Sequence, residues 1–139
     1  MVEDFLNFDA PSWEIANSSR RFECGSPNML GIHGLHASLS LLLELGMPFV
    51  AQQIQEKVEH LMLRLDELPN IEIVSPRDIK QRSGIITFKS KVIDQASLFK
   101  QLTDNKVFCA MRGGGIRFSP HYYTATEQID KAVKVISEM

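Results

Sequence analysis

The clearest pattern along the chain is a three- and four-residue spacing of apolar positions between Met29 and Leu45. Ile32, Leu35, Leu39, Leu42 and Leu45 carry it, and it predicts a helix. Leu41 and Leu43 widen the apolar arc, so this helix is expected to be covered on more than one side. Gly46 and Pro48 end it. A second helix then runs to about Leu68, with Val50, Ile54, Val58, Leu61 and Leu65 on one face and a glutamine- and glutamate-rich opposite face. The period then shortens to two. Ile71 to Val74 predicts a short strand, and Gly84 to Lys89 a more central one, because its apolar run is continuous. Arg77 to Ser83 is a polar connection. Asp94 is placed to cap a third helix carrying Leu98, Phe99 and Leu102. Val107 to Phe118 reads as two strands reversed at Gly113, Gly114 and Gly115. Thr124-Ala125-Thr126-Glu127 predicts a capping box into a last helix, with Asp130 and Lys134 spaced as a pair along it. The fold class is α+β: two long helices, then a small, mostly antiparallel sheet covered by helices.

Met1 to Ser19 has no period, although Phe5, Phe8 and Trp13 are large aromatics in need of something to pack on. Two readings stay open, a tail folded over its own domain or a connecting segment of a larger protein. The 139 residues suit one domain, and 44% hydrophobic residues suit a real core. Fifteen basic against seventeen acidic residues give a net charge of -2, which offers no electrostatic case for nucleic acid or a membrane surface. Two cysteines make no disulfide framework and fit a reducing compartment. Glu3 and Asp4 stand where a signal peptide carries basic residues, and the greasiest run, Leu39 to Leu45, is too short to span a bilayer. A cytoplasmic domain is expected.

Several residues are candidates for chemistry. Arg117 lies mid-strand between Ile116 and Phe118. Such an arginine either faces solvent or is held for an anion, and its planar fork suits a carboxylate in two-point contact. Gly25-Ser26-Pro27 predicts a helix entry with Ser26 as cap. That is an ordinary start or an anion site made of free N–H groups. His33 and His36 lie one helical turn apart without a third ligand in the neighbouring sequence, so no metal is expected. His60 is expected at the surface or boundary of the second helix, and His121 at a turn or pocket wall. Cys109, between Phe108 and Ala110, looks like a buried structural thiol rather than a nucleophile.

Gly115-Ile-Arg-Phe-Ser-Pro-His-Tyr-Tyr-Thr-Ala-Thr-Glu-Gln-Ile-Asp130 resembles the C-terminal signature of class V aminotransferases, the pyridoxal-phosphate group that includes cysteine desulfurases and selenocysteine lyases. Arg21-Phe-Glu-Cys-Gly-Ser-Pro-Asn28 is similar to a second block of that family, with Ser26 where threonine is usual. The resemblance runs from about Arg20 to the end. It implies the C-terminal domain of a fold type I enzyme, with residues 1–27 as a lead-in carrying a phosphate-contacting loop and 28–139 as the small domain with its connecting helix. Arg117 would hold the carboxylate of an amino-acid substrate, and Gly25 and Ser26 would contact the phosphate of pyridoxal phosphate, often that of a neighbouring subunit. The resemblance implies partners too: the enzyme's own large domain and the second subunit of a homodimer. Desulfurases carry their reactive cysteine in the loop that here reads Arg112-Gly113-Gly114-Gly115, so an aminotransferase, lyase or epimerase-like member fits better. The family's cofactor-linking lysine belongs to an upstream domain, and no lysine here has its context. No catalytic residue is therefore expected in this chain, nor tight binding of the cofactor, nor activity without the lysine-bearing domain. The alternative is a non-catalytic interaction or dimerisation module of the same fold.

Overall fold

The computed structural model describes residues 3, 4, 6–12 and 14–139, so Phe5 and Trp13 lie outside the described residues. The chain divides into two compact units, Met1–Glu44 and Leu45–Met139.

In the first unit the lead-in is held by one backbone and one side-chain hydrogen bond: Glu3 N–H donates to Glu14 C=O at 3.1 Å, and Asn17 N–H to the Glu3 carboxylate at 2.9 Å. Ala16 is buried, whereas Phe8 is exposed. A 3-10 turn, Ser19–Phe22, precedes α1, Met29–Leu45. The cap differs from expectation. Asn28, not Ser26, starts α1: its Oδ1 accepts from Gly31 N–H at 2.9 Å, and Ile32 N–H donates to the Asn28 carbonyl at the same distance. A side chain on Gly31 would strike that Asn28 amide. No residue of α1 is buried.

The second unit begins with α2, Met47–Asp66, followed by β1, Ile71–Ile73, and β2, Ile86–Ser90. Then come α3, Gln95–Asp104, β3, Ala110–Arg112, β4, Gly115–Phe118, and α4, Thr126–Ser137. The four strands form one antiparallel sheet in the order β1-β2-β4-β3. Gly113 and Gly114 turn β3 into β4 at φ 63° and 77°, which non-glycine residues seldom adopt. Asp94 caps α3 as the sequence predicts, accepting from Ser97 N–H at 3.0 Å. The box expected at α4 does not form. Thr124 Oγ1 instead accepts from His121 N–H, and Gln128 reaches back to Ala125 N–H, each at 2.9 Å.

Alternate residues of the central strands, Ile86 and Phe88 on β2 and Ile116 and Phe118 on β4, are buried. They pack with α2 (Leu61, Leu65), α3 (Leu98, Leu102) and α4 (Val133, Ile136) into one core. Phe88 and Phe118 meet edge to face, with centroids 5.0 Å apart. The strand residues between them therefore point to the opposite face of the sheet.

Candidate functional site

Arg117 is one of those residues. In the register it stands beside Thr87 of β2 and Ala110 of β3. Its backbone is fixed on both sides by strand pairing, so the guanidinium starts from a rigid base. Its Nε is buried and has no hydrogen-bond partner, and Arg117 forms no ion pair among the described residues. A covered guanidinium N–H without an acceptor is the kind of group a carboxylate satisfies. Lys89 shares this face by alternation but is paired with Glu72 at 3.1 Å.

The backbone at Arg117 depends on Gly115. A Cβ there would lie 2.3 Å from the Phe88 carbonyl oxygen, so β2 and β4 approach closely only because the residue is glycine. Past the strand, His121 stacks on Tyr123 (centroids 4.6 Å, 21°) and meets Tyr122 edge-on at 4.7 Å. His121 Nδ1 is a second buried polar atom without a partner.

Gly25 and Ser26 lie in the first unit, exposed, in the bend before α1. Gly25 has φ 99° and open space where a side chain would stand, which leaves its backbone approachable. Asn28 occupies the Gly31 N–H and Pro27 C=O the Met29 N–H, so these two amides at the start of α1 are already bonded within the chain.

Burial raises the Cys109 thiol above its ordinary value, consistent with a structural role. Cys24 is exposed. His60, expected at a boundary, bonds Asp130 across two helices at 2.8 Å. Arg64 donates to the same oxygen at 3.0 Å, and Asp130 is not paired with Lys134, whose partner is Glu138. No group of three or more metal-ligating side chains occurs among the described residues. None of their helices is by itself long and apolar enough to cross a membrane.

A sheet covered by helices on one face, with a mid-strand arginine whose Nε lacks a partner on the other, defines an α+β unit. The family model for aminotransferase class-V matches residues 4–132, and the chain belongs to that family. It is similar to a probable cysteine desulfurase of Pyrococcus abyssi, 24% identical over 91% of this chain and 35% of the relative. Its fold matches the apo cysteine desulfurase of Thermococcus onnurineus with a TM-score of 0.79 and 23% identity, covering 99% of this chain and 36% of that one. A C-DES variant solved with glycine covalently linked to its PLP cofactor matches with a TM-score of 0.77 at 21% identity, over 86% of this chain and 32% of that one. The chain spans about a third of the length of the curated relatives it matches, 35% and 37% in two of them. The fold class and the family resemblance seen in the sequence both hold.

Proposed function

We propose that this chain supplies the C-terminal part of a pyridoxal-phosphate-dependent enzyme acting on an amino acid, and that its own residues position rather than react. Arg117 carries the reading: anchored mid-strand, with a buried Nε that has no partner, its guanidinium takes the substrate α-carboxylate in two-point contact. Gly25 and Ser26, in the lead-in 1–27, offer backbone N–H groups and a hydroxyl to the cofactor phosphate, across the interface of a homodimer. Pyridoxal phosphate, when bound, draws electrons from the substrate's α-carbon. That chemistry needs a covalently linked lysine. The family's lysine belongs to the large domain that pairs with residues 28–139, so the chain alone is inactive. Reduced Cys24 and Cys109 suit the cytoplasm.

Helix α1 supports the need for a partner. At about 100° per residue, His33, His36, Ser40 and Glu44 fall on one narrow strip, and the rest of the circumference is almost wholly apolar. Leu30 is 86% exposed, and Leu35, Leu41 and Leu43 are exposed too. A helix of this kind belongs inside a larger body. The same surface favours the second reading, a non-catalytic interaction module, which a lysine-bearing partner chain would exclude.

The test is a titration of the isotope-labelled chain by nuclear magnetic resonance, with alanine and with alaninamide. The Arg117 Nε–H signal is expected to shift with alanine only, and Arg117→Gln to abolish the response. Added pyridoxal phosphate is expected to give neither the visible absorption of a lysine-linked cofactor nor turnover. Equal shifts with both ligands overturn the arginine's role, and turnover by the chain alone overturns its dependence on another domain.

A further inference from the structure

A groove of about 680 Å³ lies in the second unit, away from the Arg117 row. Its floor is core: Leu61, Phe118 and Ile129. Two aromatics stand over it almost uncovered, Phe108 at 93% and Tyr123 at 73% exposure. Isolated exposed leucines are commonplace, but two exposed aromatic rings lining one groove with an apolar floor form a patch that water solvates poorly. The Tyr123 ring is already held, stacked on His121 and met edge-on by Tyr122 at 5.1 Å. A ligand packing on it therefore pays little to order it.

The groove is also charged in one sense. Lys106 and Lys131 line it, no acidic residue does, and neither lysine has an ion-pair partner among the described residues. The nearest acids along the sequence are engaged or turned elsewhere. Lys100 holds Asp104 at 2.6 Å, His60 and Arg64 hold Asp130, and exposed Glu127 is not among the lining residues. A chain of net charge -2 thus presents a locally positive, aromatic-rimmed slot.

We propose that this groove docks an acidic peptide segment of a partner protein, with an aromatic or large aliphatic side chain seated between Phe108 and Tyr123 and flanking carboxylates on Lys106 and Lys131. Aromatic anchors surrounded by complementary charge are the usual composition of such contacts. The inference is independent of the cofactor reading, since it uses none of Arg117, Gly25 or Ser26.

The experiment is fluorescence anisotropy on the full chain with three labelled pentapeptides: Glu-Glu-Phe-Glu-Glu, Glu-Glu-Ser-Glu-Glu and Lys-Lys-Phe-Lys-Lys. Saturable binding is expected for the first alone, weakening with added salt. Phe108→Ser is expected to weaken it about tenfold, as loss of an aromatic anchor does, and Lys131→Glu to weaken it severalfold. Both side chains lie at the surface, and circular dichroism checks that each variant keeps its fold. Equal binding of all three peptides, no binding of the first, or indifference to Phe108→Ser overturns the proposal. So does self-association that Phe108→Ser abolishes in sedimentation, which would give the groove to a second copy.

Discussion

At the scale of single residues, position in a strand matters more than residue type. Gly115 is the sharpest case. Alanine there places a methyl carbon against the Phe88 carbonyl, so Gly115→Ala should push β2 and β4 apart and cost about 1–3 kcal/mol. Urea unfolding of the variant measures this, and an unchanged midpoint would refute the close approach. The turn glycines and the mid-strand arginine were legible in the sequence, because alternation and glycine clustering are local signals. The covered Nε of Arg117 was not, since it depends on register with strands up to thirty residues away. Arg82 makes the same point. It sits in a stretch that reads as a polar link, yet its side chain is only 6% exposed, paired with Glu59 and 3.0 Å from the Met62 sulfur.

At the scale of elements, every α-helix and strand was foreshadowed in the sequence, the short 3-10 turn Ser19–Phe22 was not, and the other errors fall at the ends and in the partners. Asn28 displaces Ser26 as the cap because its side chain reaches the third amide of the helix. The strand expected from Val107 begins only at Ala110. The Asp130–Lys134 pair gives way to His60 and Arg64, which are more than sixty residues distant and beyond any helical spacing rule. That contact ties α2 to α4 and has a pH signature. The His60 hydrogen bond, and after it Arg64, hold the Asp130 carboxyl below its usual range, while desolvation acts in the opposite direction. A depressed carboxylate contributes stability that is complete above its unfolded value of about 3.9 and is lost as pH falls through the lower folded one. The melting temperature should therefore drop on acidification below about pH 4, and Asp130→Asn should flatten that part of the profile. Parallel profiles for the two proteins, followed by circular dichroism, would count against the clamp.

At the scale of the whole molecule, the two units differ in what holds them. Leu45–Met139 has a continuous core, whereas α1 buries none of its residues. Hydrogen exchange should separate them. Amides of α1 are expected to exchange faster than those of β2 and β4 by roughly two orders of magnitude or more, and equal protection would mean that something covers the helix in solution. The composition pointed to one domain with a real core, and for the second unit that is what the packing shows. The pattern predicted an α1 covered on more than one side, whereas within this chain none of its residues is buried, because no other described segment of the chain packs over its leucines.

The strand order has one more consequence. The sheet ends in β1 and β3, each three residues long, so a strand arriving from outside finds only a few backbone groups to pair with. Growth of a cross-β ladder from this sheet is therefore poorly templated at either edge. Crowded copies are expected to associate sooner through the exposed apolar circumference of α1 than by adding strands to this sheet.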